Sequence, residues 1–155
     1  MKKAILFLSI TFAAGLLMTN VYNSLIDAKS WGANIPDSIQ TARNYFQQVN
    51  PGNFFRIFSP INQVLALLTL ILFWKRSKSV RLFFGIAFLL FVMTDVVTFA
   101  YFYPRNDILF RSSAIENIEK IKTAWSQWSQ MNWIRSLIGA SGLFFSFKGL
   151  NAING

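Results

Sequence analysis

The stretch Leu82 to Tyr103, LFFGIAFLLFVMTDVVTFAYFY, constrains this chain more than any other. About 20 apolar residues, each rising roughly 1.5 Å, match a hydrocarbon core of about 30 Å, so the segment is long enough to cross a bilayer. It also carries Asp95. A carboxylate at the centre of a membrane helix costs about 2.5–3.5 kcal/mol on insertion scales, so it must face a partner or a wet cavity rather than lipid. The other segments are therefore read by the groups they bring to Asp95.

The rest of the chain has the same character. Of its 155 residues 54% are hydrophobic, 17% aromatic and only 14% charged, too apolar for an ordinary soluble domain of this size. The composition predicts an all-α, polytopic membrane protein. A formal net charge of +9 raises nucleic acid as a partner, but the bases sit in short clusters at the ends of apolar segments, which argues against it. Cysteine and histidine are both absent, which removes disulfides, Fe–S clusters, Cys/His zinc sites and His- or Cys-ligated haem. Any chemistry falls to carboxylates, amides, hydroxyls, Tyr, Lys, Arg or a bound organic molecule.

One membrane domain over residues 1–155 is expected, with four spans at about 4–26, 60–75, 80–103 and 131–150. The first follows Lys2 and Lys3. Its long apolar run, with no clean small-x-small cleavage site, reads as a retained helix rather than a secretory signal. Asn20, Asn23 and Asp27 recur there at helical spacing, giving one polar face. A short amphipathic helix is expected at about 36–49, stopped by Asn50-Pro51-Gly52, with Phe54, Phe55 and Phe58 as a membrane-surface anchor. Ser59 reads as the cap of the second span, Pro60 as its first residue, and Asn62 and Gln63 enter just behind. The turn Trp74, Lys75, Arg76, Lys78, Arg81 is basic. Ser113-x-x-Glu116 reads as a capping box opening a second amphipathic helix, about 113–130. Its stripe Ile115, Ile118, Ile121, Trp125, Trp128 continues as Asn132, Arg135, Gly139, Gly142, Ser146 and Gly149, so this helix and the fourth span form one rod. Small residues allow close helix approach, while Leu137, Ile138, Leu143, Phe144 and Phe147 face lipid.

Basic residues set the orientation. Lys2, Lys3, Lys75, Arg76, Lys78, Arg81 and Lys148 fall on one side with no acid, whereas the other side mixes bases with Asp27, Asp37, Asp107, Glu116 and Glu119. A cell-membrane protein with both termini cytoplasmic is the expectation.

Asp95 of the third span and Arg135 of the fourth are then in the same half of the membrane, level with Asn20, Asn23 and Asn62, and an ion pair between them is expected. Two readings are open. The cluster either fixes helix packing, or it forms a pocket for a hydrophobic small molecule, lined by Asn20, Tyr22, Asn23, Asn62, Thr98, Tyr101, Trp125, Trp128 and Asn132 with Asp95 and Arg135 as the reactive pair. Transport is disfavoured, because the other half offers no comparable polar path and no helix is broken at mid-membrane.

The segment YFYPRNDILF, the motif W-x-x-x-N-W-I-R-S (Trp128, Asn132, Trp133, Ile134, Arg135, Ser136) before a small-residue helix, and N-x-Y-N-S (Asn20, Tyr22, Asn23, Ser24) resemble the anthrone oxygenase-like family of small four-span membrane proteins. The resemblance covers most of the chain. It implies a four-helix bundle and, from some fungal members, oxidation of anthrones to anthraquinones with neither metal nor flavin; many bacterial members have no known activity. Members often carry a histidine beside the arginine of the fourth span, and here that place is Trp133. On this reading Asp95 is the base, Arg135, Asn132 and Asn62 hold the oxyanion, and Trp125, Trp128, Tyr101 and Tyr22 form a flat wall. A carboxylate tied up in an ion pair is, however, a weak base. The alternative is a non-enzymatic scaffold whose partner docks on the Trp125–Trp128 rod and the Phe54–Phe58 loop.

Overall fold

The computed structural model describes residues 1–111 and 117–154, and helix is the only regular structure among them. The helices are α1 (Lys2–Gly32), α2 (Asp37–Tyr45), α3 (Pro51–Leu72), α4 (Lys78–Arg111) and α5 (Ile118–Asn154). Three of them, α1, α3 and α4, are long and apolar enough to cross a membrane. The fourth long helix, α5, runs unbroken for 37 residues, about 55 Å at helical rise. It packs most extensively along α4, and α1 packs on both α3 and α5. The expected rod is continuous from Ile118; the expected Ser113–Glu116 capping box lies outside the described residues.

Two cores occupy opposite ends. At the first, Leu6, Ile10, Phe73, Val80 and Phe84 are buried together, with Leu143, Leu150, Ala152 and Ile153 against them. This contact brings both chain termini and the α3–α4 turn to one end, called here the terminal end. Above it Ala13, Ala66, Ala87 and Phe91 form the next layer. Here the small residues of α5 are filled by rings: a Cβ on Gly142 would overlap Phe91, and one on Gly149 would overlap Phe84. Leu143, expected at the lipid surface, is half-buried in these layers, whereas Leu137, Phe144 and Phe147 are exposed. The buried hydroxyl residues Ser9, Thr69 and Ser146 border a cavity of about 10 Å³, room for about one water.

At the other, cap end, Ala28, Trp31, Ile39, Ala42, Phe102, Leu109, Ile121, Ala124 and Trp128 make a core of the kind a soluble domain has. Trp128 stands edge-on to Trp31 (5.1 Å between centroids) and Phe102 (5.4 Å). The α2 helix is tied across it by Arg43, whose Nε donates to the Leu109 carbonyl (2.7 Å) and whose Nη2 donates to that of Ile108 (3.2 Å). Burial lowers the pKa of that guanidinium.

Several boundaries differ from those the sequence suggests, each for a local reason. Asn50-Pro51-Gly52 opens α3 instead of closing α2: Asn50 Oδ1 accepts from the Gly52 N–H (2.9 Å), and Asn53 Oδ1 accepts from the Asn50 N–H, with Pro51 at the first turn. Pro60 consequently sits inside α3 and Ser59 caps nothing. Pro104 lies within α4, directly after a wide π-turn over Thr98–Phe102, which displaces the carbonyl its ring would strike. A second such turn, Asn23–Asp27, carries α1 past its expected end.

Candidate functional site

Asp95 lies where α4 faces α3. Its two carboxylate oxygens take different partners: Ser59 Oγ donates to Oδ1 at 2.6 Å and Gln63 Nε2 donates to Oδ2 at 2.5 Å. Both donors come from successive turns of α3 and are placed there because α3 begins at Pro51, which leaves the Ser59 hydroxyl free of capping. The carboxylate is half-buried. With one neutral donor on each oxygen, each oxygen keeps an acceptor position open.

Arg135 is on the α5 face toward α1 and α4, 6% exposed. Its Nη1 donates to Thr98 Oγ1 (3.1 Å) and its Nη2 to Asn132 Oδ1 (2.5 Å). The guanidinium carbon lies 4.1 Å from the ring centroid of Phe102 and 5.3 Å from that of Phe55, a cation–π arrangement at both. The expected Asp95–Arg135 ion pair does not form: the ion pairs among the described residues are Arg111–Asp107 and Lys122–Glu119. Thr98, one helical turn on from Asp95, takes the Arg135 contact instead. Acid and base are thus neighbours that each bond to neutral groups.

Asn132, wholly buried, ties the arginine to α1. Its Nδ2 donates to the Asn20 carbonyl (3.0 Å) and to Ser24 Oγ (2.6 Å), while its Oδ1 receives Arg135. Two wide turns flank this pair, Asn23–Asp27 bearing Ser24 and Thr98–Phe102 bearing Thr98 and Phe102. Such turns aim side chains that a regular helix would carry round the axis. Three buried polar atoms from the site-forming residues have no hydrogen-bond partner: Arg135 Nε, Asn62 Oδ1 and Asn20 Oδ1. Since nearly all buried polar atoms are satisfied, an orphan is a position that invites a polar group.

Of the residues expected to form the site, Asp95, Thr98, Asn132 and Arg135 are joined through hydrogen bonds or through one turn of α4, Asn20 joins them through its carbonyl, and Asn62 is buried on α3. Asn23 is buried in its wide turn. The aromatic wall is different. Tyr22 is 55% exposed, Tyr101 is the platform on which Arg105 rests at 3.4 Å, and both tryptophans belong to the cap core. Trp125 Nε1 donates to the Ala28 carbonyl (2.6 Å) and Trp128 Nε1 to Asn106 Oδ1 (2.9 Å), so the rod face expected to receive a partner is already occupied. Trp133, at the place of the family's histidine, is 46% exposed and stands outside the cluster. The aromatic faces at the cation are instead Phe55 and Phe102. Ser24, Phe55, Ser59 and Gln63 complete the site; the polarity of Ser59 was disguised by its resemblance to a cap and Phe55 by its place in an apolar triplet.

A family model described as anthrone oxygenase matches residues 52–145, more than half of the chain. The match takes in Phe55, Ser59, Gln63, Asp95, Thr98, Phe102, Asn132 and Arg135 and leaves out α1. No curated protein and no solved structure matches.

Proposed function

The chain belongs to the anthrone oxygenase family, and from that premise we propose that it is a multi-pass membrane protein that binds a hydrophobic aromatic molecule of anthrone type at the cap end and oxidises it with O₂. One observation carries the reading: a buried guanidinium with neutral partners and an orphan Nε stands beside a carboxylate that is not spent on it. A buried guanidinium whose direct partners are all neutral keeps part of its desolvation cost uncompensated. An anionic ligand oxygen offsets that cost.

The geometry supports the following roles. Asp95, held by Ser59 and Gln63, takes the proton from the activated ring carbon. Arg135 and the Asn132 that steadies it receive the resulting enolate oxygen, the charge that the reaction develops. The enolate passes electrons to O₂, and loss of water from the ring peroxide leaves the quinone. Half-buried Phe55 offers a flat face to the ring system, and Phe102 backs the guanidinium from the core. The basic terminal end supports a cell-membrane orientation with both termini cytoplasmic, which turns the cap end toward the outside.

A scaffold without activity is the second reading, favoured by the Asn132 bridge, which joins α1, α5 and Arg135 as packing glue would. Oxygen uptake decides between them. Purified protein given an anthrone consumes one O₂ per anthraquinone formed, well above the rate in detergent alone; uptake equal to the detergent blank leaves the scaffold.

A further inference from the structure

We propose that the α3–α4 turn is a binding site for an anionic phospholipid, whose phosphate is held by Lys75, Arg76, Lys78 and Arg81. The turn is short and fixed. Phe73 is 4% exposed in the terminal core, and Ser77 Oγ accepts from the Val80 N–H (3.4 Å) to start α4. Between these anchors Lys75, Arg76 and Lys78 are exposed, and Arg81 lies over the exposed indole of Trp74 at 5.7 Å.

The distribution of charge singles this turn out. Among the described residues, none of the acids Asp27, Asp37, Asp95, Asp107 and Glu119 belongs to the terminal end, which also carries Lys2, Lys3 and Lys148. At the cap end several bases are answered: Arg111 by Asp107, Lys122 by Glu119, Arg43 by two carbonyls, Arg105 by Tyr101 and Gln127. Among the described residues of the α3–α4 turn, the partner shown for a base is an aromatic ring.

The depth of the turn selects the partner. It closes two spanning helices, Trp74 has the amphipathic side chain that settles at the membrane boundary, and Ile71 and Leu82, each 58% exposed, flank the turn where acyl chains begin. A headgroup phosphate is the anion held at that level, and each Lys or Arg near such a surface contributes roughly fivefold in affinity.

Native mass spectrometry of the protein released from nanodiscs of mixed phosphatidylglycerol and phosphatidylcholine tests this. Wild type retains phosphatidylglycerol at least about 25-fold over phosphatidylcholine, and K75Q/R76Q/K78Q/R81Q loses that preference. The cap-end control K29Q/R56Q/K120Q keeps it. Equal retention of both lipids by wild type, or an equal loss in the control, overturns the proposal. Should the fourfold variant not fold, K75Q/R76Q carries the test on two exposed residues, with an expected loss of about 25-fold.

Discussion

At the terminal end α5 meets α4 by setting rings into gaps: Phe91 lies where a Gly142 side chain would be, Phe84 where one on Gly149 would be. At the cap end the same two helices meet through Arg135, Thr98 and Phe102. The first contact is complete in itself, close van der Waals packing with the small residues that membrane helices use. The second leaves Arg135 Nε unpartnered, and nearby levels of α3 and α1 add the orphans Asn62 Oδ1 and Asn20 Oδ1 among the described residues. Even the polar atoms differ in kind. Near the terminal end the orphan Thr69 Oγ1 borders a cavity for about one water, whereas the cap-end orphans belong to a cation and two amides. Packing alone accounts for the terminal half. For the cap half it accounts for the apolar core and the Asn132 bridges but not for the orphan atoms.

Substitutions can break this contrast. The largest effect is expected for Asp95→Asn, which removes the base while keeping its shape: anthrone turnover falls about 10²–10⁴-fold, with the melting temperature of detergent-solubilised protein little changed. A loss of fold in place of turnover would erase the distinction between the halves. Next is Gly149→Ala combined with Gly142→Ala, which forces methyl groups against Phe84 and Phe91; a cost of about 1–3 kcal/mol per site is expected, read by denaturant midpoint, with turnover per folded molecule intact. Asn132→Leu removes the bridge from α1 to Arg135 and leaves the buried Arg135 Nη2 without its acceptor, while Ser24 keeps its bond to the Asn20 carbonyl; a cost of about 1–3 kcal/mol is expected, with turnover impaired as well. Ser59→Ala is the mildest: one neutral hydrogen bond to Asp95 is lost, worth about 1 kcal/mol, seen as a several-fold change in turnover and its pH profile.

The acid in α4, the arginine and asparagine of α5 and the small-residue stripe were legible in the sequence because a regular helix repeats faithfully, and α5 is regular from end to end. The family, too, was legible from motifs around Arg135. What escaped lies near prolines and wide turns. Asn50-Pro51-Gly52 and Ser59-Pro60 carry the same start signal, and only the capping geometry of Asn50 and Asn53 shows which one acts. Choosing the second hid Ser59 as a partner of Asp95 and turned two neutral contacts into an expected ion pair. The wide turns at Asn23–Asp27 and Thr98–Phe102 shift the helical phase, so a face extrapolated along a regular spiral misplaces the residues beyond each turn. Tyr22 was misplaced for a simpler reason. On a helix it lies well round the axis from Asn20 and Asn23, which share a face because they are three apart.

Binding of an anthrone without oxygen tests the claim about the cap end most directly, because it separates the ligand from the chemistry. An anaerobic absorbance titration compares wild type with Arg135→Met of matched helix content. The account predicts saturable binding with ionisation of the ligand in wild type, weakened about 10²-fold or more in the variant. Equal affinity in the two proteins would contradict it and would return Arg135 to the packing that explains the terminal end.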